Sequence, residues 1–536
     1  MKKVLIISLS AVGALLVIAA AVVCFFLFGI KSKHYSAIPD GSVYLAKVNF
    51  GNLLNKSEIL EQPVVGTALD MVVKSMPRDT RELMREIVAD PSASGINVEQ
   101  PALFAITGDV ENCLFVMSVK DKARLDEIIN LFAEEFNEVS IDEVDGLTHI
   151  EYGKRKRRQP YGIAYNNDML VVVVNMNGKK ATDVETFFNL PAEEQAMNDS
   201  EYSRFFSQND DAAMFVDFED ILGSKKIGLS RKDKELLAPL KDFSLFMSLN
   251  FENGYVELAA AVEASDEYKA MVEEMWMDAS QKHFEYIPGN AIFVANGAFD
   301  CEKLLAMEHA KPFLKELKQM GIKTGMLEDL SGDMTFAMLP PEQMGRREEP
   351  QFMFVADCEG TELFEQCIKF LKDYNDVKYV DEDVYALGMN KYREYDYSDY
   401  SYVEKTAGYD YYIMYNDGKI FFLPQNVYEE IVYGGELSAL DNSAATSDTF
   451  KSFKGSGMVF SFKELVDAIV STTKRMSASD REIVEFMEIF NTAEVVVERP
   501  FETKARVTLT DDRSNFLKVM VDEVFSMFSK EIMGNF

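Results

Sequence analysis

The sequence predicts an α+β protein: an N-terminal transmembrane helix followed by a tandem duplication of domains that mix antiparallel sheet with helix. Three observations predict it. An unbroken apolar run fills residues 4–30, a series of short segments recurs in the same order about 232–250 positions downstream, and the strand-like stretches alternate between an apolar and a polar face.

The apolar run comes first. No charged residue interrupts it, and at about 1.5 Å rise per residue it crosses a hydrocarbon core of roughly 30 Å with some tilt. A cleaved signal peptide has a shorter apolar stretch, about 7–15 residues, and an A-x-A-like site. Ala19 and Ala21 imitate that site, but Val22, Val23, Cys24 and Phe25 follow, and cleavage there leaves a greasy terminus. Cys24 is a poor lipidation site, because bulky Val23 precedes it and more apolar residues follow. The expectation is an uncleaved anchor: residues 1–3 a cytoplasmic stub, 4–30 the span, 31–36 a linker. Lys2 and Lys3 before the span, against Lys31 and Lys33 after it, favour an N-inside orientation mildly. Long downstream domains translocate largely regardless of charge. The body of the chain is therefore expected outside the cytoplasm, held on an inner membrane with its C-terminal part periplasmic or extracellular.

Charge narrows the partners. The chain has 55 Lys and Arg against 89 Asp and Glu, a formal net charge of −34. Without the four lysines flanking the span, 51 bases face the same 89 acids, about −38. Nucleic-acid binding depends on basic surface that neutralises phosphate, so nucleic acid is excluded as a partner. Flat adhesion to anionic headgroups is disfavoured for the same reason. Solubility through mutual repulsion is the plain reading of the acidity; cation binding or a basic partner are the sharper ones. Outside the span there are four cysteines, Cys113, Cys301, Cys358 and Cys367. They are too few for a disulfide scaffold in a body this long, which builds ample core without staples, and their pairing cannot be read from sequence.

The duplication follows the chain in order. Ile38, Pro39 and Asp40 open the strand of Val43 to Ala46, and Ile287, Pro288 and Gly289 open that of Ile292 to Ala295. Phe104, Ala105 and Ile106 return as Phe336, Ala337 and Met338; Leu114, Phe115 and Val116 return as Met353, Phe354 and Val355. An amphipathic helix follows each, carried by Leu125, Ile128, Ile129, Phe132 and Phe136 in one copy and Leu363, Phe364, Cys367, Ile368 and Leu371 in the other. Tyr165, Asn166 and Asn167 match Tyr415, Asn416 and Asp417 as hairpin turns. Met214 to Phe218 matches Met458 to Phe462, and Ser230-x-x-Asp233 matches Ser477-x-x-Asp480, each a capping box with a shortened acid. One repeat is expected over 37–280 and a second over 281–536. Alternating strands favour antiparallel sheets covered on one side by helix, and no glycine-rich βαβ series points to a nucleotide fold.

The Ile-Pro-Asp opening soon after an export signal, the Phe215-Val216-Asp217-Phe218 type of strand and the duplicated layout resemble a family of Bacteroidetes cell-envelope proteins. That family is catalogued as domain of unknown function 4836, and the resemblance covers about residues 36–530. It implies an exported location and no established activity, and it supplies no catalytic residues. Relatives that are lipoproteins imply a lipidated cysteine, from which this chain departs at Cys24.

The catalytic inventory is thin. The four histidines, His34, His149, His283 and His309, are scattered without His or Cys partners at metal-ligand spacing. His34 reads as next to the membrane and the other three as surface or strand positions. No nucleophile elbow, phosphate-binding loop or H-E-x-x-H motif occurs. No cofactor is expected. With so many carboxylates, a motif-less carboxylate hydrolase stays open as an alternative, as does cation-dependent binding. The abundant methionines read as core filler.

One asymmetry separates the copies. Before the Tyr165 hairpin lies the basic run Lys154, Arg155, Lys156, Arg157 and Arg158; at the corresponding place the second copy has Tyr392, Glu394, Tyr395, Asp396, Tyr397, Asp399, Tyr400 and Tyr402. Two solvated loops of divergent composition is the plain reading. As recognition loops, the first would dock on acidic surface, while the rings of the second would stack on a sugar or peptide. The expected function is a membrane-anchored, non-enzymatic module that binds a protein or glycan.

Overall fold

The computed structural model describes residues 33–534 apart from 76–77, 109, 136–138, 153–158, 224–229, 231–240, 307–323, 342–349, 389–390, 397–400, 407, 434–435 and 474–475. The expected span at 4–30 lies outside the described residues. Among the described residues no helix is long and apolar enough to cross a membrane. The fold is α+β, built on antiparallel sheet. The chain divides into two compact units, Met1–Ser265 with Arg513–Phe536, and Asp266–Asp512.

The first unit contains β1 (Tyr44–Val48), β2 (Ala102–Ile106), β3 (Asn112–Ser118), β4 (Val139–Val144), β5 (Leu147–Tyr152), β6 (Tyr161–Tyr165), β7 (Met169–Asn175), β8 (Ala212–Asp217), β9 (Phe243–Glu252) and β10 (Tyr255–Ala264). They form one antiparallel sheet in the order β10-β9-β8-β1-β2-β3-β7-β6-β5-β4. Side chains two apart share a face of a strand, so Leu45, Leu103, Ala105, Leu114, Val116, Val171 and Val173 all enter one core. Short helical turns and the loops beside them, rather than a long helix, cover that face through Tyr35, Ile38, Val184, Phe187, Tyr202 and Phe205.

Three helices follow β1: α1 (Phe50–Ser57), α2 (Pro63–Ser75) and α3 (Arg78–Ala89). Asn49 caps α1, its side chain accepting from the Asn52 amide at 3.1 Å. Gly51 donates its amide to the Val98 carbonyl at 2.8 Å. A Cβ at this position would stand 2.5 Å from that oxygen, so only glycine lets α1 lie against the 98–99 backbone. Helix α4 (Lys122–Glu135) buries Leu125 and Ile128, as its spacing predicts.

The terminal helix, Phe516–Gly534, belongs to this first unit. Asn515 accepts from the Leu517 amide at 3.0 Å and donates to the Phe251 carbonyl at 3.1 Å. Phe516 packs its ring 6.4 Å from that of Phe251, Lys518 pairs with Glu58, and Gln62 donates to Asp522.

The second unit contains β11 (Phe293–Asp300), β12 (Leu330–Leu339), β13 (Gln351–Cys358), β14 (Asp376–Asp381), β15 (Val384–Gly388), the hairpin β16 (Lys391–Asp396) and β17 (Ser401–Thr406), β18 (Tyr411–Asn416), β19 (Lys419–Pro424), the short pair β20 (Val432–Tyr433) and β21 (Glu436–Leu437), β22 (Ser456–Ser461), β23 (Phe490–Arg499) and β24 (Glu502–Leu509). Its main sheet is antiparallel in the order β24-β23-β22-β11-β12-β13-β19-β18-β15-β14. Position by position this is the path of the first sheet: β22 and β12 flank β11 as β8 and β2 flank β1. One face carries Val294, Ala337, Met353, Val355 and Phe421 into a core closed by Phe284, Phe450 and Phe453. The helix after β10 is α5 (Asp266–Met275). Helix α6 (Glu362–Tyr374) covers part of the other face with Leu363, Phe364 and Ile368.

Helices α7 (Phe462–Thr472) and α8 (Ala478–Met487) follow β22. The expected capping box opens α8: Ser477 accepts from the Asp480 amide and its own amide donates to the Asp480 carboxylate, both at 3.1 Å. The counterpart at Ser230-x-x-Asp233 reaches into residues outside the described ones.

The expected repeats meet after residue 280, whereas the compact units divide at 265 and again at 512. Recurrence tracks similar sequence segments, while compactness tracks where helices pack. The helix after β10 groups with the second unit, and the helix after β24 with the first.

Candidate functional site

A buried polar cluster sits at one end of β12 and β13 in the second unit. Lys282 and His283 open the 3₁₀ turn Lys282–Tyr286, and the His283 ring is 1% exposed. Its Nε2 lies 3.2 Å from Asp357 Oδ1, and its Nδ1 lies 3.3 Å from the Thr335 hydroxyl, which also contacts Asn296 Oδ1 at 2.9 Å. Lys282 Nζ pairs with Asp357 Oδ2 at 2.6 Å and Asp333 Oδ2 at 3.4 Å. Ser280 donates its amide to Asp333 Oδ1 at 2.7 Å and its hydroxyl to Oδ2. The Asp333 amide donates to Asp357 Oδ2 at 2.8 Å.

Three of the four carboxylate oxygens thus have a donor, and Asp357 Oδ1 faces the His283 ring. Burial pulls the Asp357 pKa up, but Lys282, the Asp333 amide and His283 outweigh it and hold the carboxyl below its usual range. Burial lowers the His283 pKa, with Asp357 opposing. Burial would also lower that of Lys282, yet its two carboxylate partners raise it. Chemically the arrangement is a latch: one lysine set between two carboxylates clamps residues 280–283 onto the sheet. Among the described residues no group of three or more His, Cys, Asp or Glu is placed to hold a metal ion.

Backbone geometry admits the latch at one residue. Gly332 has φ +117°, and a Cβ on it would lie 2.4 Å from Asp357 Oδ2. Gly332→Ala is expected to destabilise the second unit by about 1–3 kcal/mol, read as an earlier denaturant transition. Wild-type stability in this variant would show that Asp357 has room to move and that the latch is loose.

The first unit has the same histidine without the latch. His34, in the turn Lys33–Ala37, is fully buried, and its Nε2 lies 3.2 Å from the Pro101 carbonyl. Burial drives its pKa down to about 4. From the strand registers, Pro101 and Ser118 stand where Asp333 and Asp357 stand, and Leu103 where Thr335 stands. The sequence placed His34 next to the membrane and His283 at a surface or strand position; His283 is instead buried on a 3₁₀ turn, and so is His34. Neither 3₁₀ turn has a periodic signature, and both rings pack inward. His149 lies on β5, 3.7 Å from Glu185; His309 lies outside the described residues.

A buried lysine of the first unit is on β1. Lys47 is 1% exposed, with Nζ 3.3 Å from Asp210 Oδ2 and donating to the carbonyls of Phe205 at 2.6 Å and Gln208 at 2.5 Å. Composition gave no hint of this pair, because its partners are about 160 residues apart in sequence.

The candidate recognition loops divide. Lys154, Arg155, Lys156, Arg157 and Arg158 lie outside the described residues, as do Tyr397, Asp399 and Tyr400. Tyr395 falls on β16 and Tyr402 on β17, directly opposite in register. Part of the expected second loop is thus a two-stranded hairpin. The four cysteines outside the apolar run are free thiols, and burial pushes that of Cys358 up to about 11.

A family model described as "Domain of unknown function (DUF4836)" matches residues 35–426, a span that takes in parts of both units. None of the curated proteins matches the sequence. Among solved structures, crystal form IV of TP0453 aligns at 9% identity over 46% of this chain and 86% of that one, with a TM-score of 0.25. Crystal form III aligns at 8% identity over 47% and 90%, also with a TM-score of 0.25. Likeness at that level carries no argument about this chain.

Proposed function

We propose, from the premise that the chain belongs to the DUF4836 family, that it is a single-pass, membrane-anchored protein whose duplicated body lies outside the cytoplasm and binds a protein or glycan partner without catalysing a reaction. The observation that carries this reading is the place where two matching strand paths part company. Between β5 and β6 the first copy has its basic run; between β15 and β18 the second has the tyrosine-rich β16–β17 hairpin. A connection that varies on a constant scaffold is where recognition is usually built. The recurring segments and the identical ten-strand order support tandem duplication. The ion pairs and hydrogen bonds that tie Asp333 and Asp357 to Lys282, Ser280 and the backbone support binding over carboxylate hydrolysis. The apolar run at 4–30 and the acid excess support the anchor and the exported location.

Two measurements test it. Carbonate washing is expected to leave the full chain in the membrane pellet and to release a chain that starts at Lys33. Release of both would remove the anchor from the proposal. Gentle extraction with mass spectrometry is expected to recover a stoichiometric partner. Serine at Lys154, Arg155, Lys156, Arg157 and Arg158, or at Tyr395 and Tyr402, should reduce that recovery at least about tenfold, the scale on which interface anchors act. Full recovery with both variants would sink the loop reading.

A further inference from the structure

The first unit holds a cleft of about 850 Å³ between α1, α2, α3 and the 98–99 backbone. We infer that this cleft is a binding site for a small cationic amphiphile, a molecule with an aliphatic or aromatic body and a protonated amine head. The inference goes beyond the partner-binding reading and does not depend on it.

The volume lies in the range of small-molecule sites, about 300–1,000 Å³. Its apolar lining comes from Leu54 on α1, Leu69 and Val73 on α2, Val88 on α3, and Val98. Such surface takes a hydrocarbon body through the ordinary gain from removing apolar area from water. The charged part of the lining selects the head. Glu58, Glu61, Asp70, Asp90 and Glu99 line the cleft, against Arg85 as the one lining base. Lys74 pairs with Asp70 and Lys518 with Glu58 from outside it. Counting those two lysines, five acids still face three bases. A cation therefore enters a negative field over an apolar wall, while an anion with the same body is repelled.

Two glycines place the cleft. Gly51 lets α1 sit tightly on the Val98 carbonyl and so sets that part of the lining. Gly66, on α2, lines the cleft and has open space where a Cβ would stand. A Cβ there meets no other atom. Leucine is also a better helix former than glycine by several tenths of a kcal/mol, so Gly66→Leu adds bulk to the lining of the cleft without threatening the fold.

The test uses the full chain in nanodiscs of zwitterionic lipid at physiological salt, titrated calorimetrically with n-octylammonium and with octanoate, each corrected against empty nanodiscs. The expected result is saturable octylammonium binding at least about tenfold tighter than octanoate, weakened at least about tenfold in Gly66→Leu, whose melting temperature stays at or above wild type. A second variant, Glu61→Gln with Glu99→Gln, is expected to narrow the preference for the cation while leaving the fold intact. Equal binding of octanoate would overturn the choice of head group. Undiminished octylammonium binding in Gly66→Leu, or no saturable binding in the wild type, would overturn the site itself. None of these outcomes bears on whether the β16–β17 hairpin recruits a partner.

Discussion

Replacing Lys47 by methionine is expected to cost the first unit about 3–5 kcal/mol, the scale for removing one member of a buried ion pair. Lys47 and Asp210 are 1% and 7% exposed at their side chains. The substitution leaves the Asp210 carboxylate facing a thioether and deprives the Phe205 and Gln208 carbonyls of their shared donor. It also removes the ammonium that stands 5.3 Å over the Phe205 ring. The partial remedy is informative. Asp210→Leu added to Lys47→Met takes away the stranded charge, so the double variant should regain roughly half of the loss. The rest stays missing, because two buried carbonyls remain without their lysine donor, at about 1–3 kcal/mol each. Denaturant titration of the full chain reads both numbers. A cost under about 1 kcal/mol for the single variant would mean that water reaches the pair.

Acidification from pH 7 to 4 is expected to withdraw on the order of 3 kcal/mol from the first unit through His34 alone. The folded ring has a pKa of about 4 against 6.5 for the free side chain, and one pKa unit corresponds to about 1.36 kcal/mol. Because the folded value is depressed, the native state binds fewer protons than the unfolded chain between those two pH values. Stability is therefore complete above pH 6.5 and is lost as pH falls through 4. His34→Phe keeps the ring's bulk and cannot take up the proton. Its stability should be flatter across this window by the same amount, despite the constant loss of the hydrogen bond to Pro101. Comparing the two pH profiles cancels the carboxylates, which titrate at the lower edge of the window in both proteins. Parallel profiles would show that the His34 ring opens to solvent before the unit unfolds.

What the sequence conveyed and what it concealed divide along one physical line. Periodic or locally closed features were legible. The Ser477 and Asp480 box needs only four residues, Leu363, Phe364 and Ile368 announce a helix face, and the turn at Asn416 and Asp417 ends in a residue with φ +47° followed by glycine at +69°. The site features are assembled from distant segments. His283 meets Asp357 across 74 positions and Lys47 meets Asp210 across 163. Nothing local distinguishes those acids from the other carboxylates in the chain. One local signal does point to both rings: Lys-His-aromatic stands a few residues before Ile-Pro at residues 33–35 and again at 282–284. A histidine recurring in the same local pattern is better explained by a similar interior position than by chance exposure. Three-residue-per-turn segments leave no periodicity to betray which side is buried.

The placement of the terminal helix has a consequence for biogenesis. Protein chains are made from the N-terminus and their domains generally fold as they emerge. Here the segment that completes the first unit, Arg513–Phe536, leaves the ribosome after the whole of the second. The second unit, Asp266–Asp512, is continuous and complete before that helix exists. The part of the molecule that begins first is thus finished after the part that follows it, and Phe251 and Glu58 wait for their helix partners until the second unit has been made. A message truncated just short of codon 513 would yield a whole second unit tethered to an unfinished first one.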